Sequence, residues 1–468
     1  MLTKIKYGAD RKMLIMLYRA LVRSKIEYGC VVYEAASQSA KKMIDTIHHQ
    51  AVRIITGAFR TSPICSMLAD VDEMPLDLRR RILAMRYVIK LTQSNTHPAH
   101  QTFNDTHLRR IDNGTRAAAR HPGVRVRAWF AEADISTDLV EPYDRCAVEP
   151  WVISEVRTNT DLLDMCKNLS PEVTCQIFMD FCAENFQNHI RFYTDGSKSD
   201  SGTGCAFVGD GVEKCFSLPH QASVFTSELY AIFRCLDQVS RTRARKFAIF
   251  TDSLSSLQAL KTFYFYSLSS SYLLTLIRQK LHSLRDRGKT VDLVWLPSHC
   301  GISGNERADR SAKTATERAV PPGLRVPYFD LNALVKQYVA KLWQRRWEED
   351  PKGAKLRGLK PRLGHWVSSS AGSRREEVVL SRLRMGHTHA THSFRLIRGD
   401  PPDCPRCGNL LSVKHVLVDC RDYEIERHRH LGGSPTLESL LGEFPTVELS
   451  SILSFLKSID FNVVYSPT

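Results

Sequence analysis

Apolar residues recur at helical spacing through the first ninety positions. Leu14, Leu17, Tyr18 and Leu21 fall on one face, and Leu78, Ile82, Met85 and Ile89 on another. The pattern predicts three helices between Arg11 and Leu91, broken near Gly57 and Pro75. From about Asn95 to Val156 the periodicity lapses among Asn, His, Pro, Arg and Gly, and residues 95–186 are expected to form a linking segment. Between Ile190 and Lys313 the period switches repeatedly, giving strand, strand, strand, helix, strand, helix, helix, strand, helix. The strands are "HIRFYT", "GTGCAFVG", "EKCFSL", "KFAIFT" and "VDLVWL", and Phe225, Leu229, Ile232 and Leu236 mark one helix between them. Hairpin-spaced strands at the start of this unit predict an α/β domain with a mixed five-stranded sheet.

Beyond it, Leu331, Leu334, Val335, Tyr338 and Leu342 line one helical face after a cap expected at Asp330, with Trp343 and Trp347 packing it. Residues 352–398 are rich in Lys and Arg, and a Cys/His cluster follows. The expected organisation is a helical region over 1–94, the link 95–186, the α/β domain 187–318, a basic helical region 319–400, the Cys/His segment 401–425 and a tail 426–468.

Composition adds a partner class. Sixty-five basic residues against 50 acids give a net charge of +15 and an isoelectric point near 9.3, a balance that favours a polyanionic partner such as nucleic acid or an acidic membrane, with a solvated basic surface as the alternative. The 13 cysteines are scattered, most within apolar runs, which reads as reduced, buried thiols. The amino-terminal stretch is interrupted by charges, and no run of eighteen apolar residues occurs. The expectation is an intracellular protein with no membrane span, its compartment and protein partners unassigned.

Four acids stand apart by context. Asp195 follows the strand "FYT", Asp252 follows "FAIFT", Glu228 lies in the helix "TSELYAIF", and Asp309 lies in "GNERADRSAK". Alone, Asp195 before Gly196 and Ser197 reads as a turn, since aspartate bonds nearby backbone and glycine accepts positive φ. Together the acids read differently, because two strand ends and two helices can converge at one edge of an α/β sheet. Clustered carboxylates repel unless a cation or proton sits among them. Hard oxygen ligands suit Mg²⁺ or Mn²⁺, and two such ions about 3.5–4 Å apart activate water and stabilise the leaving oxygen of a phosphodiester.

In order and local context these segments resemble type-1 ribonuclease H: "TDGS", "TSELYA", "FTDSLSSLQAL" and "WLPSHCGISGNERADRSAK". The resemblance implies a ribonuclease H-like fold and cleavage of the RNA strand of RNA–DNA hybrids. It implies that Asp195, Glu228, Asp252 and Asp309 hold two Mg²⁺ (or Mn²⁺) ions, with Asp195 shared, and that His299 assists proton transfer or product departure from the loop "SHCGISG". Ser197, Ser227 and Asn305 are candidate substrate contacts, with capping or turn bonding as the competing use of each. Some members insert a basic helix where "QALKTFYFYSLSSSYLLTLIRQKL" here runs straight on, so hybrid affinity is expected from the basic stretch 352–398.

Cys404, Cys407, His415 and Cys420 form C-x2-C-x7-H-x4-C, a ligand set suited to tetrahedral Zn²⁺, with His428 and His430 as substitutes. The segment from "YRALVRSKIEYGC" to "DVDEMPLDLRRRIL" is similar to the region after the polymerase palm of non-LTR (LINE-type) retrotransposon polyproteins, and "SRLRMGHTHATHSF" with "CPRCG" is similar to their carboxy-terminal part. "YGAD" at 7–10 superficially matches a polymerase Tyr-x-Asp-Asp, but the aspartate doublet is missing. The expectation is a carboxy-terminal fragment of such an element that does not polymerise. It acts either as a hybrid-cleaving endonuclease or as a nucleic-acid-binding remnant with a silent nuclease.

Overall fold

The computed structural model describes residues 3–5, 8–94, 96–104, 122–143, 152–153, 155–262, 272–366, 372–461 and 463. Tyr7 of "YGAD" and the stretches 105–121, 144–151, 263–271 and 367–371 lie outside the described residues. The chain divides into two units, one of residues 1–84, 106–126 and 336–468, the other of residues 85–105 and 127–335.

The second unit is built on a six-stranded mixed sheet. Its strands are β1 Thr158–Asn159, β2 Ile190–Lys198, β3 Thr203–Gly209, β4 Val212–Leu218, β5 Lys246–Thr251 and β6 Thr290–Trp295, ordered β1-β6-β5-β2-β3-β4. β2, β3 and β4 pair antiparallel as a meander, whereas β2, β5, β6 and β1 run parallel. Five of these strands are those that the alternation predicts. The two-residue β1 pairs with β6 from within the interval expected to be a link, which also carries the helices Pro98–Asn104, Pro122–Glu132 and Pro171–Asn185. Two bonded residues are too few to produce an alternation that a sequence could reveal.

Call the helices of this unit α1 (Pro171–Asn185), α2 (Val224–Arg241), α3 (Leu254–Lys261), α4 (Tyr272–Asp286) and α5 (Ser303–Thr316). Phe192, Phe247, Ile249 and Leu293 pack beneath α2, α3 and α4 on one face of the sheet, with Leu229, Ile232, Leu236, Leu257 and Ile277. On the other face Tyr193, Ala248, Phe250 and Val294 meet Phe178, Phe181 and Cys182 of α1. Strands covered on both sides are near-continuously apolar, as "KFAIF" is. α5 also crosses the meander, and glycine makes that approach feasible. A Cβ at Gly204 would stand 2.5 Å from the Ala312 carbonyl oxygen, and one at Gly304 would meet the Tyr193 ring at 2.3 Å.

The first unit is helical. Its breaks at Gly57 (φ +62) and before Leu76 fall where expected, and a further one at Gly29 (φ +66) splits the region into more pieces than the three anticipated. Trp347, Leu356, Leu380, Leu417, Phe455 and Leu456 share one core, so helix Leu449–Ser458 of the expected tail is an integral part of the fold. Helix Tyr328–Glu349 begins ahead of Asp330, which therefore lies in its first turn instead of capping it.

Several basic residues of the 352–398 stretch are interior. Arg374 donates to the carbonyls of Ile54 (2.6 Å) and Ile55 (2.7 Å), Arg382 to Gly57 (2.8 Å), and Arg384 to Leu441 (2.9 Å) while lying over Trp366. On the helix Arg374–Met385 that carries these three, Ser381 shares the buried Asp70 carboxylate with Arg11. These guanidinium groups donate to backbone carbonyls inside the unit, so much of the local positive charge serves packing and not a surface.

Candidate active site and metal clusters

Two adjacent parallel strands set the first pair of acids. β2 and β5 are in register through Thr194 and Thr251, so the following residues, Asp195 and Asp252, sit side by side. β2 does not turn at Asp195, contrary to the local reading of Asp-Gly-Ser. It continues to Lys198, with Asp195 opposite Ala206 and Gly196 opposite Cys205, and the chain reverses only where Ser199 donates to Gly202. Gly196 serves a different purpose. A Cβ there would come 2.5 Å from Ser227 Oγ and 2.6 Å from the Glu228 nitrogen, so its absence lets the start of α2 lie against the strand. α2 is capped by Ser223, whose hydroxyl accepts from Thr226 N, and buried Leu229, Ile232 and Leu236 hold it on the sheet. Glu228 is delivered by this helix.

Carboxylate oxygens of Asp195, Glu228 and Asp252 all lie within 4.8 Å of one another. Asp195 and Glu228 are each only 6 % exposed. Burial, then the charges of Asp252 and Asp309, push the Asp195 carboxyl up to about 8. Burial, then the charges of Asp195 and Asp252, drive Glu228 far above the carboxylate range. Asp252 is raised too, by burial first, against a lowering bond from Asn305. Each value moves in the direction that desolvated like charges require, and each is what a bound cation would reverse.

Orphaned oxygens make the same point by geometry. Glu228 Oε2 and Asn305 Oδ1 are buried with no hydrogen-bond partner among the described residues. A buried acceptor without a donor is costly, and a hard divalent cation satisfies it. The donor set, oxygen only and acidic, therefore fits Mg²⁺ or Mn²⁺.

The remaining candidate residues divide. Asp309 on α5 is half-buried and outside the close trio. Its Oδ2 accepts from Lys313 Nζ at 2.7 Å one helical turn on, yet it is near enough to raise both Asp195 and Asp252. His299 is exposed at φ +57 in the loop after β6, with Gly301 at φ +76, and its charge lowers Asp252. Asn305 bonds Asp252, so it orients that acid. Ser227 is fully buried, and its hydroxyl donates to the Val224 carbonyl at 2.7 Å within the first turn of α2, a local use of the side chain. Ser197 is half-buried in β2 opposite Gly204. Lys313 was not singled out from sequence, although its i,i+4 spacing from Asp309 was a readable signal.

Residues 187–317 match the RNase H family model. This stretch is an RNase H-type domain, and it supports ribonuclease H-type hydrolysis of nucleic acid. It contains β2 to β6, α2 to α5 and all the acids just described. No curated protein matches the chain.

A second cluster lies in the first unit. The ligand atoms of Cys404, Cys407, His415 and Cys420 lie within 4.8 Å of one another. The Cys404 nitrogen donates to the Asn409 carbonyl at 2.7 Å, and Gly408 (φ +73) donates back to Cys404, which folds Cys-x-x-Cys into a tight knuckle. His415 opens a short turn whose end, Cys420, donates back to the His415 carbonyl. Cys407 Sγ is 3.2 Å from His415 Nε2. Burial opposes ionisation of Cys404, but the backbone N–H groups of Cys407 and Arg406, with His415, bring its thiol down to about 6. A thiol held low by donors in a three-sulfur, one-imidazole set is suited to a soft tetrahedral ion. Among the described residues the cysteines are free thiols.

Proposed function

We propose that the protein is a divalent-metal-dependent endonuclease that hydrolyses the RNA strand of RNA–DNA hybrids. The observation that carries this reading is the trio Asp195, Glu228 and Asp252, converged within 4.8 Å and largely buried, inside the RNase H-type domain. Asp195, Glu228, Asp252 and Asp309 would hold Mg²⁺ (or Mn²⁺), which when bound supplies a nucleophilic water and stabilises the departing oxygen. Asn305 orients Asp252, and Gly196 lets Glu228 close on Asp195. Asp309, which pairs with Lys313 at 2.7 Å, would have to give up that contact to hold a cation. His299, on an exposed glycine-flanked loop, moves a proton at the leaving side or assists product departure.

The Cys/His knuckle is proposed to bind one Zn²⁺ that organises the carboxy-terminal part of the first unit. The retrotransposon-like segments flanking the domain support descent from a LINE-type polyprotein. Binding without turnover, the silent-nuclease alternative, is supported by the basic balance alone and not by the acid geometry. Purified chain with Mg²⁺ and a labelled hybrid distinguishes them: RNA-strand cleavage by wild type, lost in Asp195→Asn, supports the enzyme.

A further inference from the structure

Four basic side chains of the first unit converge without an acid among them. The rings of His387 and His392 stack with centroids 3.7 Å apart and planes 21° from parallel. Each ring's Nδ1 bonds a hydroxyl, His387 to Thr61 at 3.3 Å and His392 to Thr391 at 2.8 Å. Each Nε2 is left with no protein partner among the described residues. Lys355 lies across Gly386: a Cβ there would be 2.8 Å from Lys355 Cδ and 3.5 Å from Nζ. Gly386 also stands at φ +67, so both its conformation and its missing side chain are used.

Charge bears this out. Burial lowers His387 and His392 to about 3 and 4, and Lys355 and Arg395 add to both effects. Lys355 is lowered in turn by its surroundings and by Arg395. No carboxylate acts on any of these three groups. Lys355 and Arg395 are exposed and form no ion pair among the described residues, unlike Arg374, Arg382 and Arg384 of the same basic stretch, which are consumed inside the fold. Mutually repelling cations at a surface, next to two buried imidazoles, complete themselves with an anion.

We propose that Lys355, Arg395, His387 and His392 form a docking site for the sugar–phosphate backbone of nucleic acid, outside the RNase H-type domain. The choice of nucleic acid over another polyanion rests on the hydrolase reading of that domain. The histidines, neutral at physiological pH, offer N–H donors to phosphate oxygens, and the two flanking cations supply charge. Such a site fixes position along a strand without reading its sequence. The motif "GHTHATHSF" supplies both rings and the glycine beneath the lysine.

The test is equilibrium binding of a labelled RNA–DNA hybrid to the full chain without added divalent cation, over a range of salt. Lys355→Ala/Arg395→Ala should weaken binding at least about ten-fold and flatten the log–log salt slope by about 2. Lys355→Arg/Arg395→Lys should bind like wild type. Lys352→Ala/Arg398→Ala, which removes two other exposed cations, should cost much less. His387→Phe, which keeps a ring, should weaken binding about three-fold. The proposal is overturned if the alanine pair binds with wild-type affinity and slope, or if the control pair loses as much. Cleavage at saturating hybrid reads the domain separately: a chain that binds through this site but never cleaves removes the hydrolase reading and leaves the docking site standing.

Discussion

Asp195 meets opposing demands. The same burial and neighbouring acids that prepare it for a cation push its carboxyl up to about 8 when none is bound, against 3.8 for an ordinary aspartate. A raised folded-state value means the folded protein holds its proton longer than the unfolded chain. The metal-free fold is therefore unpenalised by this group below about pH 4 and loses stability as pH rises towards 8. Melting followed from pH 4 to 9 should show that decline, and saturating Mg²⁺ should remove most of it. Asp195→Asn should abolish cleavage while stabilising the metal-free chain on the order of 1–3 kcal/mol and flattening its pH dependence. A loss of stability in that variant would contradict the account of the site's electrostatics. His299→Ala should lower turnover about ten-fold or more with little change in metal affinity, since His299 lies on an exposed loop and is not one of the clustered ligands.

At the level of elements, the strands and helices of the RNase H-type domain were legible because each has a strong period and a buried face. What the order of elements could not show was where β2 ends. Asp-Gly-Ser carries every local sign of a turn, yet pairing with Ala206 and Cys205 keeps it extended, and the glycine answers to α2 across the sheet. Only a tertiary approach distinguishes those uses of one residue. Gly196→Ala should accordingly cost about 1–3 kcal/mol by overpacking and displace Glu228, seen as a lower melting temperature and weaker Mg²⁺ binding. The acids themselves were recognisable by context, but Asp309 being held by Lys313 apart from the trio was not, because rotamers are set by charge in the assembled fold.

Over the whole molecule, net charge pointed to a polyanionic partner but not to where one would bind. Arg374, Arg382 and Arg384 look like surface cations in the sequence and are interior donors to backbone carbonyls, while Lys355 and Arg395, no different in kind, stay exposed. Spacing alone does not tell a buried guanidinium from a solvated one. The Cys/His knuckle was legible because its spacing is the constraint that chelation imposes. Purified protein should contain about one zinc per chain. Cys404→Ser should lose it and lower the melting temperature, because Cys404 and Cys420 belong to the same core as Trp347 and Phe455.

Cleavage of an RNA–DNA hybrid labelled on either strand, by the full chain with Mg²⁺, tests the central claim most directly. The account predicts internal cuts in the RNA strand, an intact DNA strand and no product from Asp195→Asn. An untouched hybrid in the presence of folded protein that has bound Mg²⁺, or wild-type cleavage by Asp195→Asn, would contradict it.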